Sequence, residues 1–171
     1  MYKVILALLV TLFIFSCAST NQNSIKLNKF MDPDTGVETV ETIISFGEFD
    51  DPTQISFNQT KNLRNVSWYI ICKFSSKYDK DCTVLDITID EKNSTFKVGG
   101  SYNSHDLKTR NSRLFRKIDY FKIDETIIAD LNKCKNLKLE FKGDEGSKEF
   151  YLGEEQLVAV KDWIKSVTIP K

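Results

Sequence analysis

The sequence predicts an α+β fold in which an antiparallel, sandwich-like β-meander is followed by two amphipathic helices in the C-terminal third. Three observations predict it. Apolar and polar residues alternate over several stretches in the middle of the chain, as they do in half-buried strands. The connections between these stretches are short, which favours antiparallel pairing. Near the C-terminus the apolar spacing becomes that of helices packed on one side.

The first strands are predicted over residues 37–49, 54–59 and 66–74. The first mixes Val, Thr, Ile and Phe, and the second alternates Ile55 and Phe57 with polar residues. A turn at Asp50-Asp51-Pro52 separates them. The third gives the strongest strand signal, because every second residue is apolar. Its apolar face carries Val66, Trp68, Ile70, Cys72 and Phe74.

Further strands are predicted over residues 83–90 and 95–98, with a turn over residues 91–94 between them. Because the loops are short, residues 66–98 are expected to form one antiparallel meander. A polar loop follows, and another strand is predicted over residues 113–123, ending in Tyr120-Phe121-Lys122-Ile123.

The last third predicts helix, hairpin, helix. Asp124 is a preferred residue at a helix start, and residues 124–134 place Ile127, Leu131 and Cys134 on one stripe. Residues 137–141 and 148–152 alternate as strands of a hairpin. A second helix opens at Glu154, and Trp163 lies within its apolar stripe, where we expect it to anchor the core. That stripe comprises Leu157, Val160, Trp163, Ile164 and Val167.

The N-terminus has the pattern of a secretory signal. The apolar run of residues 4–15 follows Lys3 and is shorter than the roughly 20 residues that a membrane-spanning helix needs. It ends in Ile14-Phe15-Ser16-Cys17, which resembles the lipobox of bacterial lipoprotein precursors. Ile14 and Ser16 match that motif, whereas Phe15 stands where a small residue is usual. The resemblance implies cleavage before Cys17 and a diacylglyceryl anchor, with palmitate among its chains, on that cysteine.

Three segments follow from this resemblance: a signal peptide over residues 1–16, a flexible tether over residues 17–30 and one globular domain over residues 31–171. The polar start of the mature chain is too poor in apolar residues to order itself. Ala18 after the cysteine implies the outer membrane rather than the inner membrane of the cell envelope. The order of strands and helices from Trp68 onward resembles small envelope lipoproteins of unknown function.

Composition limits the classes of partner and cofactor. The chain has 24 basic and 24 acidic residues, which argues against a nucleic-acid partner. One histidine and three scattered cysteines besides Cys17 match no metal-ligand spacing, so no cofactor is predicted. An exported chain meets an oxidising compartment, and Cys72–Cys82 is the first choice for a disulfide. If the strands that carry Cys72 and Cys82 pair in one sheet, however, the two side chains point to opposite faces of it. A Cys72–Cys134 disulfide and three free thiols are therefore the alternatives.

The sequence holds no catalytic constellation, since Ser104-His105-Asp106 are consecutive and cannot form a relay. It favours a non-enzymatic envelope protein that binds an unknown protein or glycan. Arg110, Arg113 and Arg116 are candidates for an anion contact. The alternative is a carrier of a small molecule or lipid in an apolar pocket between sheet and helix. A glycan-cleaving enzyme, which would need two convergent carboxylates, is less favoured.

Overall fold

The protein is represented by a computed structural model that describes residues 24–47, 53–75, 82–103, 115–144 and 146–167. These ranges contain ten strands and two helices, whose bounds follow in chain order. The order is β1 (Ile25–Met31), β2 (Glu38–Phe46), β3 (Thr53–Lys61), β4 (Val66–Ser75), β5 (Cys82–Ile89), β6 (Lys92–Lys97), β7 (Gly100–Asn103), β8 (Phe115–Ile123), α1 (Glu125–Lys133), β9 (Leu137–Gly143), β10 (Gly146–Tyr151) and α2 (Glu154–Ser166).

The strands form two antiparallel sheets, which confirms the predicted α+β class. The six-stranded sheet has the order β1-β2-β3-β4-β8-β7, and the four-stranded sheet has the order β10-β9-β5-β6. The predicted meander over residues 66–98 is wrong at its first step, from the strand at 66–74 to the strand at 83–90, whereas the pairing of the strands at 83–90 and 95–98 is confirmed. β4 pairs with β3 and β8, whereas β5 pairs with β6 and β9 in the other sheet. Alternation identifies a strand with one buried face, but both sheets of a sandwich offer such a face.

The domain begins earlier than the sequence predicted. β1 pairs along its whole length with β2, from Ile25 opposite Ile44 to Met31 opposite Glu38. The predicted tether is therefore wrong for residues 25–30, which belong to the edge strand of a sheet. A turn then reverses the chain, with the Asp32 carboxylate accepting hydrogen bonds from the backbone N–H groups of Asp34 and Thr35. Gly36 takes a positive φ of 66°, which glycine tolerates.

The core lies between the two sheets and beneath the helices. Phe74 of β4 meets Phe141 of β9 edge-on with ring centroids 5.8 Å apart, and Phe141 also contacts Phe121 and Phe150. These aromatic rings interlock the inner faces of both sheets.

The two helices bury the stripes predicted for them. Ile127, Ile128 and Leu131 of α1 are buried, as are all five members of the α2 stripe. Asp124 stands at the start of α1, but its carboxylate accepts a hydrogen bond from the Thr126 hydroxyl and caps no backbone N–H. At the start of α2, the Gln156 side chain accepts a hydrogen bond from the backbone N–H of Gly153.

Candidate functional site

Several of the predicted site residues lie outside the described residues. Cys17, Arg110 and Arg113 are among them. Arg116 belongs to β8, but its side chain is not described. Lipidation of Cys17 and an anion contact by the arginines therefore stay predictions.

Cys72 and Cys82 are both buried, and the structure holds them as free thiols, so the predicted disulfide is not formed. From the sequence, the two cysteines are expected to share a sheet and to point to opposite faces of it. In the structure β4 and β5 belong to different sheets. Both cysteines belong to the hydrophobic core between those sheets. Cys134 is likewise a buried free thiol and donates to the backbone carbonyl of Leu131.

Beside Cys72 lies a polar group that the sequence did not predict. Asp119 of β8 stands directly opposite Cys72 of β4 and opposite Ser101 of β7. Its side chain has no exposed surface, and its Oδ1 accepts a hydrogen bond from the Ser101 hydroxyl. The Lys117 ammonium lies 3.9 Å from the same oxygen. Oδ2 accepts no hydrogen bond from any of the described residues.

Burial raises the pKa values of the acidic groups at this end of the core. It raises the pKa of the Asp119 carboxyl, against the opposing effects of the Ser101 hydroxyl, the Lys117 charge and the nearby backbone N–H of Cys82. Burial also raises the pKa of the Cys72 thiol and brings the pKa of the Cys82 thiol to about 12. Both thiols are therefore neutral at physiological pH and poor nucleophiles.

Lys148 approaches the same end of the core from β10 in the other sheet. Its ammonium donates to the Thr53 hydroxyl at 3.1 Å and lies 5.9 Å and 5.6 Å from the ring centroids of Phe74 and Phe150. Asp119, Lys117 and Lys148 thus bring charge from both sheets to one end of the sandwich. The Asp119 carboxyl has no exposed surface through which it could contact a substrate.

We expect Cys72, Cys82 and Cys134 to resist alkylation until the protein unfolds. A thiol with a pKa of about 12 has about a thousand times less thiolate at pH 8 than an ordinary cysteine. Iodoacetamide at pH 8, followed by peptide mass spectrometry, should label these residues quickly in urea and slowly without it. Rapid labelling of the folded chain at Cys82 would contradict the burial described here.

A shallow depression lies at the opposite end of the sandwich. It is lined by Ile89, Asp90, Glu91, Lys92, Asp130 and Lys133. The Asp130 carboxylate pairs with the Lys92 ammonium at 2.7 Å. The Asp90 carboxylate accepts hydrogen bonds from the backbone N–H groups of Lys135 and Asn136, which lower its pKa. Both carboxylates thus have structural partners.

The outer face of the four-stranded sheet carries paired charges. Lys142 lies 2.6 Å from Asp86 and 3.6 Å from Glu140, and Lys138 lies 2.9 Å from Glu149. Lys142 and the Thr95 hydroxyl lower the pKa of the Asp86 carboxyl. Alternating charges of this kind are typical of a solvated sheet face.

Exposed apolar side chains concentrate on β1 instead. Six large hydrophobic residues are exposed among the described residues, and three of them belong to this strand. The six are Leu27, Phe30, Met31, Leu63, Tyr151 and Val158. Exposed hydrophobic residues are ordinary when scattered, but a cluster on one edge marks a candidate contact surface.

Among the described residues, no group of three or more His, Cys, Asp or Glu could hold a metal ion. Neither α1 nor α2 has the length and apolar character to cross a bilayer. Comparison of the chain with protein families, with curated proteins and with solved structures finds no match.

Proposed function

We propose that this chain is a lipid-anchored bacterial envelope protein whose domain binds a protein or glycan partner without catalysing a reaction. The observation that carries the proposal is the order Ile14-Phe15-Ser16-Cys17 at the end of a short apolar run. Diacylglycerol together with an amide-linked chain on Cys17 would give a durable anchor, whereas a single acyl chain gives only marginal membrane binding.

The packing beneath α2 favours a binding module over a carrier. A carrier would need an apolar pocket between sheet and helix, and Trp163 occupies that space. Its side chain is fully buried, and its ring centroid lies 5.9 Å from that of Phe57 and 5.7 Å from that of Trp68. Its indole N–H donates to the backbone carbonyl of Val40 at 3.0 Å.

The polar groups support the same choice. The Asp119 carboxyl is buried, and the carboxylates beside the shallow depression hold an ammonium or backbone N–H groups. Glycan cleavage needs two carboxyl groups at a defined separation across a cleft. The exposed side chains of β1 are better suited to contact than to chemistry.

Metabolic labelling tests the anchor. Labelled palmitate should enter the wild-type chain and not the Cys17→Ala variant, because only Cys17 follows the lipobox. Cys134→Ala is the matched control, since it removes another cysteine and should leave labelling unchanged. Equal labelling of the wild type and Cys17→Ala would refute the anchor.

A further inference from the structure

We propose that the β1 edge, defined as residues 26–31, docks on the surface of the bilayer in which the Cys17 lipids are inserted. This inference rests on the proposed lipid anchor and adds an orientation: the domain stands on its first strand. The partner is the phospholipid surface of that bilayer.

The β1 edge is open along its length. β1 ends the six-stranded sheet, and β2 is its one pairing partner among the described strands. Every residue from 26 to 31 is exposed. Leu27, Phe30 and Met31 expose 55%, 53% and 65% of their surface. Three of the seven residues of β1 are therefore large, apolar and exposed to solvent.

The apolar side chains flank both sides of this edge. Leu27 stands opposite Thr42 and Met31 opposite Glu38, whereas Phe30 stands opposite Thr39 and has the other parity. Because successive side chains of a strand point to opposite faces, a partner packed on one face could not reach both sets. A surface that meets the sheet edge-on can reach all three.

β1 itself carries two lysines and no acid, but Asp32, Asp34, Glu38 and Glu41 follow in the turn and in β2, so docking depends mainly on the apolar side chains. The two lysines, Lys26 and Lys29, are both exposed. The Lys29 ammonium also lies 2.6 Å from the Glu38 carboxylate on β2. Lysine can lay its hydrocarbon stem along an apolar layer while its ammonium stays among the headgroups, and anionic lipids attract it there.

The chain length ahead of β1 keeps this edge near the bilayer. Seven residues, 18–24, separate Cys17 from the strand and span at most about 25 Å. The Ser24 hydroxyl donates to the Ser45 hydroxyl at 3.2 Å, which fixes the entry of the chain onto the sheet. A short link makes the second contact intramolecular, so even a weak apolar and electrostatic attraction is effective.

The experiment uses the full lipidated chain in vesicles of phosphatidylcholine and phosphatidylglycerol with brominated acyl chains. Bromine quenches tryptophan emission at short range. The native Trp68 and Trp163 are 3% and 0% exposed, so they add a constant background. A reporter is placed by Phe30→Trp, with Met31→Trp as a second position. Tyr151→Trp is the matched control, because Tyr151 is 66% exposed on the outer face of the other sheet.

We expect several-fold stronger quenching for Phe30→Trp than for Tyr151→Trp, with a blue shift of its emission in vesicles. Equal quenching at both positions, in protein that floats with the vesicles, would overturn the docking and leave the anchor intact. A blue shift without quenching, together with crosslinked dimers, would assign the edge to a second copy and also overturn it. Failure to float would refute the anchor, and this proposal with it.

Discussion

Replacing Trp163 with alanine should lower the free energy of unfolding by about 3–5 kcal/mol, as is usual for a buried large aromatic residue. Its ring packs on Phe57 and Trp68, so the substitution leaves a cavity between α2 and the six-stranded sheet. It also removes the indole donor to the Val40 carbonyl. Urea unfolding of the chain begun at Ala18, followed by circular dichroism, measures the loss.

Two variants separate the causes. Trp163→Phe removes the indole donor but keeps an aromatic ring that fills part of the cavity. It should therefore lower the free energy of unfolding by less than Trp163→Ala. Val158→Ala is the control on the same helix, because Val158 is 51% exposed and should change stability little. A loss below about 1 kcal/mol for Trp163→Ala would place the side chain on the surface and revive it as a binding residue.

Replacing Asp119 with asparagine should stabilise the protein at pH 7, because the amide removes the cost of burying a carboxylate charge. Burial raises the pKa of this carboxyl above its ordinary value of 3.8, so the folded chain holds the proton more tightly than the unfolded chain. Its stabilising contribution is complete below pH 3.8 and is lost as the pH rises through the raised pKa. Asparagine keeps an oxygen for the Ser101 hydroxyl and carries no charge.

The difference in unfolding free energy between Asp119→Asn and the wild type should therefore be larger at pH 7 than at pH 3.5. Asp86→Asn provides a control of opposite sign, because Lys142 and Thr95 lower the pKa of that carboxyl. Asp86→Asn should destabilise the protein at pH 7, and its effect should diminish in acid. If Asp119→Asn destabilises equally at both pH values, the carboxylate is needed for its hydrogen bonds and its burial carries no penalty.

Local patterns predicted most of the elements, because each depends on a nearby apolar face. The strand predicted at residues 66–74 is β4, and the helix predicted at residues 124–134 is α1. Local patterns did not predict which strands pair, because a short loop can lead either to the neighbouring strand or to a strand of the facing sheet. β1 was missed because all but its first residue are exposed, so it shows no apolar face, and backbone pairing defines it.

The sequence revealed less of the candidate site. Asp119 shares the parity of Phe121 and Ile123, and an acid on the apolar face of a predicted strand was the available signal. Ser101 lies 18 positions away on β7, and the Cys82 backbone belongs to the other sheet, so periodicity within one strand could not place them beside Asp119. The Cys17 anchor depends on a local motif, which is why it could be predicted while the polar group around Asp119 could not.

The hydrogen bond between Trp163 and Val40 joins residues 123 positions apart, and it has a consequence for the time at which the fold can form. β2 cannot pack against α2 until this last helix has been synthesised. β4 likewise pairs with β8, and β5 with β9, only after those later strands have been synthesised. Such distant contacts slow folding. The core of this topology cannot be completed until the last helix has left the ribosome, and late completion would suit the export that we propose for this chain.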